Sequence, residues 1–168
     1  MRSILGDAFG HHVWATLRLL DACAELSQKE LSTPAPGTYG SIIETFRHLV
    51  GADAGYLFSL TEGSVAIVDQ SAMDLRALGE VMESHADAWS RLLEDRLDPD
   101  RVVVRHRDDG SETHAPVGIR LAQALHHGTD HRSQICTALT ALGRQPPAID
   151  AWDFAEHQGR LVEIPPSR

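Results

Sequence analysis

His127 and His131 stand four residues apart in the stretch LAQALHHGTDHRSQICTALTAL, residues 121–142. On an α-helix that spacing places both side chains on one face, one turn apart. Leu121, Leu125, Ile135, Leu139 and Leu142 recur at helical spacing, and Ala124, Ile135 and Ala138 run along the same line as the two histidines. The imidazoles therefore take positions that a bundle helix usually gives to Leu or Ala. Ring nitrogens facing a core are unfavourable until they are satisfied. A divalent cation satisfies both at once, because neutral imidazole is a good ligand for zinc, nickel or copper. Hydrogen bonds to neighbouring helices would serve as well, and the pair alone does not choose between the two.

A third nitrogen is available from an earlier helix. His48 lies at the edge of an apolar face, beside Thr45 and Leu49 and one turn from Glu44 and Ala52. Bundles build metal sites from side chains on facing helices, and three neutral protein ligands leave a coordination position open. Around these three, Arg132 and Gln134 stand where they can orient the groups behind the ligands or bind a substrate carboxylate. Arg132 is equally readable as a surface or inter-helix salt bridge. Glu44 reads as a helix cap rather than a fourth ligand or a base. His11 and His12 read as exposed, with one of them able to line a pocket. His85, His106, His114 and His157 read as surface residues. Cys136, five residues beyond His131, falls on another face and is a poor ligand or nucleophile. Trp14, Trp89 and Trp152 read as core or dimer-interface anchors. No residue is assigned as a catalytic acid or base.

The elements that must hold these groups follow from periodicity. Residues 4–28 predict a first helix, with Leu5, Phe9, Val13, Leu17, Leu20 and Ala24 as its stripe. Two prolines and two glycines within 32–40 break it. Ser41 is an N-cap candidate with Glu44 three residues on, a capping-box pattern, and opens a second helix through Ile42, Phe46, Leu49 and Tyr56 to about Leu60. Residues 71–97 give a third, lined by Leu75, Leu78, Met82, Trp89 and Leu93 and ended by Pro99. The period then changes. Residues 101–107 are β-rich, Asp108-Asp109-Gly110 is a hairpin turn signal, and 111–117 can return as a second strand. The fourth helix, which carries His127 and His131, stops at Gly143 and Pro146-Pro147. A short amphipathic piece at 151–159 is expected to dock Trp152 and Phe154 on the bundle. The expected fold is all-α: a four-helix bundle with a small β-hairpin between helices 3 and 4, in one domain over 1–168.

The chain has 168 residues, 24 acidic and 15 basic, for a formal net charge of −9. No basic stripe is present to meet a phosphate backbone, so a nucleic-acid partner is not expected, nor is an anionic membrane surface. No apolar run is long enough to span a bilayer, and MRSILGDAFGHH lacks a signal-peptide core, which points to the cytoplasm. Two cysteines, Cys23 and Cys136, read as reduced and buried in helices. The chain also lacks a nucleophile elbow, a phosphate loop and a dinucleotide glycine motif.

The combination of Pro36-Gly37-Thr38-Tyr39-Gly40-Ser41-Ile42, His48-Leu49 and His127-Gly128-Thr129-Asp130-His131-Arg132-Ser133-Gln134 resembles the DinB/YfiT-like superfamily over nearly the whole chain. Ser133 stands where that family usually has glycine. The resemblance implies that His48, His127 and His131 hold a divalent metal, zinc or nickel foremost, and that the protein forms a homodimer. It also implies a metal-dependent thiol S-transferase or isomerase, with a low-molecular-weight thiol such as mycothiol or bacillithiol as co-substrate and a small electrophile as substrate. A hydrolase of a small ester or amide would use the same centre with water. The alternative is a non-catalytic metal-binding bundle with a structural or stress-response role.

Overall fold

A computed structural model of the chain describes residues 3–94, 97–107, 109–164 and 166. Its long helices are α1 (Ile4–Ala22), α3 (Ile42–Leu60), α4 (Leu75–Glu94) and α5 (Val117–Ala141), joined by a short α2 (Gln28–Ser32) and followed by α6 (Ala151–His157). α1 packs against α4 and α5, and α3 packs against the same two, so α1 and α3 face each other across the bundle. The core between them contains Phe9, Leu19, Phe46, Leu49, Leu57, Leu78, Met82, Trp89, Ile135 and Leu139. Burying each of these large side chains contributes roughly 1.5–3 kcal/mol.

The helix boundaries follow local chemistry. α3 begins where the sequence places it, with Ser41 and Glu44 satisfying each other's backbone N–H groups. The predicted first helix is too long. It ends at Ala22, and Ser27 with Glu30 forms a second capping box that starts α2 afresh. α4 starts at Leu75 rather than 71, because Asp74 Oδ1 accepts from Ala77 N–H at 2.8 Å and so caps the helix. The helix is described to Glu94; its predicted end at 95–97 falls partly on residues outside the described ones. α5 stops in a Schellman motif: Gly143 is at φ +72°, and Arg144 N–H donates to Leu139 C=O at 2.9 Å.

The hairpin between α4 and α5 pairs β1 (Val102–His106) antiparallel with β2 (Glu112–Pro116), Val104 facing His114. Asp108 of the expected turn lies outside the described residues. The hairpin packs where α3 ends and α5 begins, with Val103 turned inward. Arg120 of α5 stitches both strands down by donating to Val103 C=O and Thr113 C=O, each at 3.0 Å. At the C-terminal end Phe154 packs on Gly10 and on the Trp14 ring, centroids 5.5 Å apart. Trp152 does not dock: it is 70% exposed, because α6 caps its start with Asp150 and turns Phe154, not Trp152, toward α1. No helix among the described residues is long and apolar enough to cross a membrane.

Candidate metal centre

The packing of α3 on α5 brings His48 opposite His127 and His131. The Nε2 atoms of His48 and His127 are 3.0 Å apart. One ring nitrogen from each of the three histidines lies within 4.8 Å of the others, a group that can hold a metal ion. His131 is 7% exposed, while His48 and His127 are half-buried. The His131 Nδ1–H donates to Gln134 Oε1 at 2.9 Å, which leaves Nε2 as its lone-pair nitrogen. Burial, and then the neighbouring His131, hold the His48 imidazole below its ordinary value. Burial acts on His127 in the same way, and with His131 and His48 beside it brings it down to about 4. Both rings are therefore neutral at pH 7.

Two neutral imidazoles cannot aim lone pairs at each other across 3.0 Å without a positive particle between them. A proton shared as N–H···N does this for one pair. A cation does it for all three nitrogens together, and three imidazole donors suit zinc, nickel or copper. The donor set therefore fits a divalent ion.

Two aromatic rings border the triad. Tyr39, in the loop before α3, stacks on His48 with centroids 4.1 Å apart and an interplanar angle of 15°. Tyr56, two turns beyond His48 on α3, meets the His127 ring edge-on at 5.9 Å. Gln134 meets the triad through its Oε1, which accepts from His131 Nδ1. Glu44 is the cap it was expected to be: its Oε2 accepts from Ser41 N–H at 2.8 Å and from Ser41 Oγ at 2.7 Å. The thiols take no part. Both cysteines are free, and burial pushes Cys23 up to about 12 and raises Cys136 as well.

Beneath the triad lies a polar cluster whose members the sequence pattern misassigns. Asp53 is 2% exposed and accepts three hydrogen bonds, from His12 Nε2 at 3.1 Å, His85 Nδ1 at 2.7 Å and Trp89 Nε1 at 3.1 Å. Arg132 donates through one NH1 group to His12 Nδ1 at 2.9 Å and approaches the Thr16 hydroxyl at 3.3 Å. Burial opposes the charge on Asp53, but the His12 and His85 imidazoles facing it hold its carboxyl below the usual carboxylate range. Burial draws the Arg132 guanidinium down to about 10, so it stays charged at pH 7.

His12 and His85 are therefore buried, at 1% and 2% exposure, and not surface residues. Arg132 is neither a surface ion pair nor a substrate anchor; it is locked inside the bundle by α1. His11 is half-buried and bonded to Ile149 C=O at 2.8 Å. His106, His114 and His157 are exposed as expected. A signal for the cluster was present: Asp53 lies between Leu49 and Leu57 at core spacing, and His85 lies between Met82 and Trp89. Gly128 completes the arrangement, since a Cβ there would stand 2.4 Å from His12 Cε1.

A groove of about 890 Å³ runs along the open edge of β1, lined by Phe58, Ile67, Val102, Val104 and neighbouring residues, and contains none of the three histidines. A model of the DinB family matches residues 1–165 of the chain. Comparison with curated proteins finds no match.

Proposed function

This chain belongs to the DinB family, and we propose that it holds a divalent metal ion, zinc or nickel, on His48, His127 and His131 to activate a small nucleophile. The observation that carries this reading is the convergence of three imidazole nitrogens within 4.8 Å of one another. The residues of the chain have separable tasks in it. His48 and His127 present neutral Nε2 atoms toward each other, and Gln134 fixes the tautomer and tilt of His131. The ion supplies Lewis acidity that turns a thiol or water into a nucleophile at neutral pH. Three protein ligands leave room in the coordination shell for that nucleophile. The family resemblance supports a low-molecular-weight thiol as co-substrate, hence thiol S-transfer or isomerisation of a small electrophile, and a homodimeric assembly. The free thiols of Cys23 and Cys136 suit a reducing cytoplasm.

A second reading, a non-catalytic metal-binding bundle, is favoured by one observation: the roomy groove lies at the hairpin and not over the triad.

Elemental mass spectrometry on tag-free protein, purified without chelators, tests the metal. Near one equivalent is expected in the wild type and almost none in His131→Ala or His48→Ala. Wild-type protein that is empty and takes up neither zinc, nickel nor manganese removes the reading. A thiol-transfer screen on the loaded protein then separates the two roles.

A further inference from the structure

The chain contains two tyrosines, and both rings lie against the histidine triad. Tyr56 belongs to α3 itself. Tyr39 belongs to the loop between α2 and α3. The residue is 56% exposed, while its ring stacks on His48 at 4.1 Å and abuts the His131 ring at 5.4 Å in a T-shaped contact. The loop folds back through a bridge between Pro34 and Ser41. Gly37 at φ +80° makes the turn, and the Thr38 hydroxyl contacts Ala35 C=O and Gly40 C=O, each at 2.7 Å.

Beside the contact between the Tyr39 and His131 rings, one side-chain atom of the fourth long helix, α5, holds the loop by a hydrogen bond. Gln134 Oε1 accepts the Tyr39 backbone N–H at 3.0 Å and the His131 Nδ1–H at 2.9 Å. One carbonyl oxygen has two lone pairs, and here one holds the loop while the other holds a triad histidine. Lifting the loop backbone at Tyr39 breaks the first bond and carries the ring off His48. It also changes the polarity of the oxygen that orients His131.

We infer that Tyr39 is a gate on the outer side of the three-histidine centre and that Gln134 Oε1 is its latch. Tyr39 positions and shields; it is not itself a ligand. The ring closes the approach to His48, and the latch ties that closure to the orientation of His131, so opening the loop loosens the centre and closing it tightens it. This inference rests on the metal reading above. It gives the loop a task that packing alone does not require, since Tyr39 is more than half exposed.

The test is the rate at which the protein, loaded with cobalt(II) or zinc, gives up its ion to an excess of a chromophoric chelator in a stopped-flow mixer. Tyr39→Phe keeps the ring and should release at the wild-type rate. Tyr39→Ala should release about tenfold faster, the scale of one lost stacked aromatic pair. Gln134→Ala should also accelerate release and in addition weaken equilibrium binding about 10- to 100-fold, as loss of a ligand's hydrogen-bond partner does. The double variant should release no faster than the faster single one, because both substitutions report the same opening. In the metal-free protein, Tyr39→Ala should raise the reaction of His48 with diethyl pyrocarbonate, mapped by peptide mass, relative to exposed His157. Equal release rates for Tyr39→Ala and wild type overturn the gate while leaving the metal site standing, and so does an unchanged His48 to His157 ratio. Wild-type protein that takes up no ion overturns both.

Discussion

Gly128→Ala is the substitution for which elementary rules and this structure disagree in sign. Gly128 occupies the middle of α5, where exchanging glycine for alanine ordinarily stabilises a helix by about 1 kcal/mol. At this position the added methyl would stand 2.4 Å from His12 Cε1, 2.5 Å from His12 Nδ1 and 2.9 Å from an Arg132 guanidinium nitrogen. His12 has no room to retreat. Its ring is 1% exposed, held by Asp53 on one nitrogen and by Arg132 on the other. Relief must come from moving α1 away from α5 or from breaking the Arg132 bond. Overpacking of a tight interior costs about 1–3 kcal/mol, and a hydrogen bond to a charged group contributes about 1.5–3 kcal/mol. With the helix gain subtracted from either cost, the net destabilisation is about 1 kcal/mol and at most about 2 kcal/mol. Gly79 in α4 and Gly55 in α3 are the controls, for a Cβ at either meets nothing within 4 Å. Thermal unfolding of the metal-free proteins should then move in opposite directions. At roughly 2–4 °C per kcal/mol for a chain of this size, Gly79→Ala should gain a few degrees and Gly128→Ala should lose about 2–8 °C. A Gly128→Ala protein as stable as its Gly79→Ala counterpart refutes the packing argument.

Two further outcomes follow from the buried groups. Asp53→Ala leaves the His12, His85 and Trp89 donors and the Arg132 charge inside the bundle without their carboxylate, at about 3–5 kcal/mol, measurable by urea unfolding; a loss under about 1 kcal/mol sinks the idea that Asp53 organises the cluster. The second concerns pH in the metal-free protein, where His127 is brought from its ordinary 6.5 to about 4 by burial and by His131 and His48, with Asp53 opposing and His12 adding to them. The folded form then binds fewer protons than the unfolded form, so this contribution is complete above about pH 6.5 and is lost as pH falls toward 4. Because the ring is only half-buried, the loss is discounted to the order of 1–2 kcal/mol. Urea midpoints for wild type and His127→Ala across that window check it, and identical pH slopes refute it. Asp53, with its carboxyl lowered, keeps its contribution down through the ordinary carboxylate range and loses it only in stronger acid.

Much of the architecture is legible in the sequence because its signals are local. Ser41 and Glu44 mark the start of α3 by a bond between residues three apart, and the i, i+4 spacing puts His127 and His131 on one face wherever the helix packs. The error in the first helix is local too. Apolar residues continue past Ala22, so periodicity runs on, while the second capping box at Ser27 and Glu30 resets the chain. The buried cluster is different in kind. A polar residue in an apolar stripe reads as pointing outward unless its partner is known, and the partners of Asp53 lie on α1 and α4. His12, His85 and Arg132 each look misplaced singly, and only the assembled bundle shows that they answer one another. Trp152 fails in the opposite sense: a large apolar ring reads as buried, yet α6 is too short to seat both it and Phe154 on α1.

Asp53 and Arg132 carry opposite charges within one interior but are joined through the ring of His12, and this has a consequence for how the bundle can be altered. The cluster takes one or more members from each of the four long helices: His12 and Thr16 from α1, Asp53 from α3, His85 and Trp89 from α4, Arg132 from α5. A purely apolar core would accept a helix transplanted from another bundle after modest repacking. This one would not, because any replacement helix with Leu or Ala at the corresponding position strands a charge or a donor contributed by the other three. The four helices are thus keyed like the wards of a lock, and a chimera that exchanges one of them must carry over the polar tooth along with the apolar stripe.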